Sequence, residues 1–71
     1  MPTIRVELLA GRTPEQKAAL AGALTAETVR VLGCRAEAVQ VVFADVARED
    51  WWIGGRPAGA PPPESPGGKP P

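Results

Sequence analysis

The chain has 71 residues, with eight basic and eight acidic side chains, no histidine and one cysteine, Cys34. That length allows one domain, and so small a domain buries only about 60% of its unfolded surface, so it needs a disulfide, a metal or oligomerisation to support it. A single cysteine excludes an intrachain disulfide, and without histidine or a cysteine cluster a zinc site is not expected. The balanced, interspersed charges lack the basic stripe of a nucleic-acid binder.

No apolar run approaches the roughly 18 residues of a membrane span. The first residues, Met1-Pro2-Thr3-Ile4-Arg5-Val6-Glu7, lack the apolar centre of a signal peptide. The expectation is a cytoplasmic protein supported by self-association, with no nucleic-acid or membrane partner.

Thr3 to Leu9 alternates, with Ile4, Val6 and Leu8 on one face and Thr3, Arg5 and Glu7 on the other. This pattern predicts a strand with one buried face. Gly11 ends it. Thr13-Pro14-Glu15-Gln16 then has the form of a capping box with proline at the first helical position. The helix is expected over Pro14–Leu32, closed by Gly33, with Leu20, Leu24 and Val31 as its apolar stripe beside Ala23 and Thr28.

Residues 39–46 predict a second strand, with Val39, Val41 and Phe43 on one face and Gln40, Val42, Ala44 and Val46 on the other. Both faces are largely apolar, as in a strand covered on each side. Strand, helix and strand at this spacing make a βαβ unit with parallel strands. The segment after it, Arg48 to Trp52, is too short and charged for another long element, and Ile53-Gly54-Gly55 predicts a turn or short hairpin.

Of nine prolines, seven lie in residues 57–71. Such a segment has little to bury and is expected to be a disordered tail, which puts the folded domain at residues 2–56. Two strands and one helix cannot cover the second face of the sheet, so an oligomer is expected on physical grounds alone.

Taken together, Met1-Pro2, the alternating strand, Gly11-Arg12-Thr13 followed by Glu15-Gln16-Lys17, the valine-rich second strand, and Trp51-Trp52-Ile53-Gly54-Gly55 resemble the 4-oxalocrotonate tautomerase family. The resemblance covers residues 1–55. It implies an α/β fold, a β-α-β unit with a parallel two-stranded sheet and a short terminal hairpin. The usual assembly is a hexamer whose sites draw on neighbouring subunits; a homohexamer is expected, with a heterohexamer as the alternative. The implied chemistry moves a proton in an enol or dienol acid to give an unsaturated 2-oxo acid, without metal or organic cofactor.

On this resemblance Pro2 is the catalytic base. With Met1 attached its nitrogen is an amide; with Met1 removed it is a secondary amine. An α-amino group titrates at about 7.7–8.0, and desolvation or a nearby cation lowers that value, towards the neutrality that suits proton transfer. Arg12 corresponds to the arginine that holds a substrate carboxylate, a task its planar, two-pronged donor fits. It stands just before a helix, where the dipole favours anions rather than cations.

Trp51 occupies the family's aromatic position at the wall of the site, and Trp52 is a candidate neighbour at a subunit interface. Gln40 stands where many relatives carry a second arginine. The departure leaves two alternatives open: a substrate lacking a second carboxylate, or compensation by Arg5, Arg35 or Arg48. Cys34, just past the helix, has no assigned role. Two other functions fit the same resemblance. One is hydration or hydrolytic dehalogenation of an unsaturated acid, with Glu49 or Asp50 activating water; the other is a weakly active subunit of a mixed assembly.

Overall fold

The structure is a computed structural model and describes residues 1–58. Strand β1 (Thr3–Leu9) leads to helix α1 (Pro14–Leu32), which returns the chain to strand β2 (Gln40–Val46). Beyond it lie the two short strands of a hairpin, β3 (Trp52–Ile53) and β4 (Arg56–Pro57), and 3-10 turns occupy Ala36–Ala38 and Arg48–Asp50. This is the expected α/β architecture with a β-α-β unit.

β1 and β2 pair in parallel, from Thr3 opposite Gln40 to Leu9 opposite Val46. Their shared register puts Ile4, Val6 and Leu8 on the same face as Val41 and Phe43, all of them half-buried. α1 packs on this face, where Lys17 Nζ donates to Asp45 Oδ2 at 2.6 Å. Both ends of α1 are closed by the residues expected to close them. Thr13 Oγ1 accepts from the Gln16 N–H at 3.0 Å, and Gln16 Oε1 accepts from the Thr13 N–H at 2.9 Å. Gly33, with φ of 73°, donates its N–H to the Val29 carbonyl.

The helix meets the sheet through a different stripe from the expected one. Lys17, Ala21, Leu24, Thr25, Thr28 and Val29 are the half-buried positions, whereas Leu20 is 38% exposed and Val31 60% exposed. At about 100° per residue, Ala21 and Thr28 lie about 80–100° round the axis from Leu20. Leu24 is shared by both stripes. Thr28 tolerates its inward position because its hydroxyl donates to the Leu24 carbonyl at 2.7 Å. The apolar arc of α1 is therefore wider than its own sheet covers.

The second strand begins one residue later than its sequence pattern suggested. Val39 closes the preceding 3-10 turn by donating its N–H to the Ala36 carbonyl at 3.0 Å, and the ladder starts at Gln40. Nor is β2 covered on both faces within the chain: Val42, on the side away from α1, is 42% exposed.

In the terminal hairpin, Ile53 faces Arg56 across the two-residue loop Gly54-Gly55. Both glycines have positive φ, 60° and 82°, as a primed turn of this length requires at its two central positions. Pairing continues past residue 56: Pro57 lies opposite Trp52, and the Ala58 N–H donates to the Trp51 carbonyl at 2.7 Å. The remainder of the expected tail, residues 59–71, lies outside the described residues. Among the described residues no helix is long and apolar enough to cross a membrane.

Candidate active site

Pro2 immediately precedes β1, half-buried at the edge of the sheet. Its carbonyl accepts the main-chain N–H of Gln40 at 2.9 Å, one rung before the first ladder pair. Gln40 is thus brought beside Pro2, with an exposed side chain on the sheet face that α1 leaves uncovered.

Arg12 lies at the other end. The seven residues of β1, followed by Ala10 and Gly11, separate it from Pro2, and β1 alone spans about 20 Å at the usual rise of roughly 3.3 Å per residue. Pro2 and Arg12 of one chain therefore stand at opposite ends of β1. Arg12 borders two open depressions. One, of about 230 Å³, is lined by Leu8, Arg12, Gln16, Lys17 and Leu20; the other, of about 200 Å³, is lined by Leu9, Ala10, Gly11, Arg12 and Arg48. Leu9 belongs to the uncovered sheet face by its alternation with Leu8, so the second depression opens on the side of the sheet away from α1.

Trp51 follows the 3-10 turn after β2 and is half-buried, with its N–H on the Arg48 carbonyl at 3.3 Å. Trp52 points outward, 57% exposed, and its indole Nε1 donates to the Glu49 carbonyl at 2.8 Å. That bond holds the ring across the turn. Glu49 and Asp50 are exposed on the same turn, and Cys34 is half-buried without a disulfide partner. Among the described residues no three His, Cys, Asp or Glu side chains converge in the manner of a metal site.

The single chain therefore pairs Pro2 with Gln40 at one end of the sheet, and Arg12 with Arg48 at the other. Of the arginines that sequence alone leaves equivalent, Arg5 pairs with Glu7 at 3.5 Å and Arg35 with Glu37 at 3.7 Å. The Arg48 side chain has no hydrogen-bond or ion-pair partner among the described residues. In sequence Arg48 looks no different, since Asp50 stands two residues on. In a helical turn, however, residues two apart point to different sides.

Residues 2–60 match the model of the family described as tautomerase enzyme. A probable tautomerase of Ralstonia nicotianae is 45% identical over 60 residues, spanning 84% of this chain and 86% of the relative. A 2-hydroxymuconate tautomerase of Comamonas testosteroni is 36% identical over 55 residues, 78% of this chain and 87% of that protein. Among solved structures, TomN, a 4-oxalocrotonate tautomerase homologue of the tomaymycin biosynthetic pathway, superposes with a TM-score of 0.77 at 48% identity. The superposition covers 79% of this chain and 86% of TomN.

Proposed function

The chain belongs to the tautomerase family, and from that premise we propose that it interconverts enol or dienol acids and unsaturated 2-oxo acids, with Pro2 as general base. The observation that carries this reading is the span of the family match, which begins at Pro2 and takes in Arg12, Gln40 and Trp51.

Once Met1 is removed, the Pro2 nitrogen is a secondary amine that accepts the hydroxyl proton of the substrate. The electron pair left on oxygen forms the 2-oxo group, the double bonds shift along the chain, and the proton returns to a carbon atom. The amine is regenerated, and neither water nor an oxidant is consumed. Arg12 holds a substrate carboxylate through paired hydrogen bonds and draws developing negative charge towards itself. Trp51 forms an apolar wall, which disfavours the ammonium form of the base. Gln40 donates to substrate oxygen without adding charge.

Because Pro2 and Arg12 stand at opposite ends of β1, the working site joins Pro2 of one subunit to Arg12 of another. The uncovered sheet face and the exposed arc of α1 are the surfaces that such an assembly would bury.

An absorbance assay with 2-hydroxymuconate and phenylenolpyruvate tests the reading. Conversion of either to its 2-oxo form, by protein with a free Pro2 terminus, supports it. A preparation of that kind that converts neither but hydrates or dehalogenates an unsaturated acid overturns it.

A further inference from the structure

Most cations of the described chain are already spoken for by neighbours. Lys17 is bonded to Asp45, Arg5 to Glu7, Arg30 to Glu27 and Arg35 to Glu37. The Arg30 hydrogen bond is strong enough to hold the Glu27 carboxyl below its ordinary range. Arg12 and Arg48 differ in that neither side chain has a hydrogen-bond or ion-pair partner among the described residues. These two line the same depression of about 200 Å³, whose other walls are Leu9, Ala10 and Gly11.

A recess with two guanidinium groups and no carboxylate in its lining concentrates anions, because charges of one sign focused by low-dielectric walls raise the local potential. The two groups also repel one another until an anion lies between them. Each presents a planar fork able to bind a carboxylate through two hydrogen bonds. Two such forks in one recess fit two carboxylates better than one.

We propose that Arg48 is a second substrate-binding residue, which takes the second carboxylate of an unsaturated diacid while Arg12 holds the first. It thereby supplies the positive charge that is missing at Gln40. The chemistry of the acid rests on the tautomerase reading; the two-cation recess does not. Arg48 acts on specificity rather than on the proton transfer, since it meets a carboxylate whose charge does not change during the reaction.

The test uses the full-length protein and two unreactive probes, trans,trans-muconate with two carboxylates and sorbate with one. Binding is followed by quenching of the fluorescence of Trp51 and Trp52, in the original protein, Arg48→Gln and Arg48→Lys. The expected result is a roughly ten- to hundredfold loss of muconate affinity in Arg48→Gln, the worth of a charge-assisted hydrogen bond. Sorbate affinity should stay nearly as it was, and Arg48→Lys should recover much of the muconate affinity. With 2-hydroxymuconate as substrate, KM should rise while kcat holds, the pattern of an interaction equal in ground and transition states. Equal losses on both probes, or no loss on muconate, overturn the proposal. Selective loss of muconate binding in a protein that turns over no enol acid would uphold the two-carboxylate recess and sink the tautomerase reading instead.

Discussion

The main-chain N–H of Gln40 donates to the carbonyl oxygen of Pro2 at 2.9 Å, so the first residue of β2 fixes the residue that precedes β1. A chain terminus normally frays; this one is tied into the sheet at its second residue. The tie leaves the Pro2 ring nitrogen outside the ladder, where removal of Met1 frees it without breaking a sheet hydrogen bond. It also makes position 40 the closest sequence-distant neighbour of the proposed base that the hydrogen bonds identify.

That proximity makes Gln40→Arg informative. Each charge-assisted hydrogen bond to a substrate is worth about 1.5–3 kcal/mol, or roughly ten- to a hundredfold in rate if made only in the transition state. With Arg48 intact, the added arginine should raise turnover of 2-hydroxymuconate only slightly, because the second carboxylate already has a partner. In an Arg48→Gln background the same change should restore much of what was lost. A double-mutant cycle on kcat/KM measures the difference. Purely additive effects would mean that positions 40 and 48 serve different parts of the substrate.

Assembly follows from surfaces that the chain leaves open. Val42 on the uncovered sheet face, Val31 and Leu32 on α1, and Ile53 on the hairpin are all exposed in the single chain. Gel filtration with light scattering should place the protein well above the 7.4 kDa of one chain, with a hexamer as the expected size. Val42→Lys should lower that size or unfold the protein, since it puts an unpaired charge where apolar contact is needed. A folded monomer at micromolar concentration would remove the basis for a site shared between chains. A second small subunit co-purifying in fixed ratio would favour the mixed assembly.

How much of this the sequence held depended on whether a signal was local. The capping box at Thr13 and Gln16, the closing Gly33 and the Gly54-Gly55 turn were legible because each is set by a few adjacent residues. The parallel pairing of β1 and β2 followed from the order and spacing of strand, helix and strand. The stripe of α1 was misjudged because apolar Leu20 and Val31 stay exposed in the single chain, while Lys17 turns inward on its bond to Asp45 and Thr28 on its hydroxyl's bond to the Leu24 carbonyl. Pro2 and Arg12 entered through family resemblance, yet their placement at opposite ends of β1 follows from strand length alone. Arg48 stayed one of three equivalent candidates, since only the fold pairs Arg5 and Arg35 with their glutamates.

The separation of Pro2 from Arg12 gives a complementation test. A chain carrying Arg12→Ala and a chain with an acylated Pro2 should each be inactive when alone. Unfolded together and refolded as mixed oligomers, they should regain measurable turnover, because some sites then join an intact Pro2 to an intact Arg12. Mixing that restores nothing, with oligomers of normal size, would place both residues in one chain's site.

Whether the free amine of Pro2 is the base is tested by turnover of 2-hydroxymuconate alongside intact-protein mass before and after selective acylation of the amino terminus. With Pro2 as the base, the active protein lacks the mass of Met1 and its activity falls in proportion to the acylated fraction, while its oligomeric size is unchanged. Full activity in a preparation that retains Met1, or undiminished turnover after complete acylation of Pro2, would contradict it.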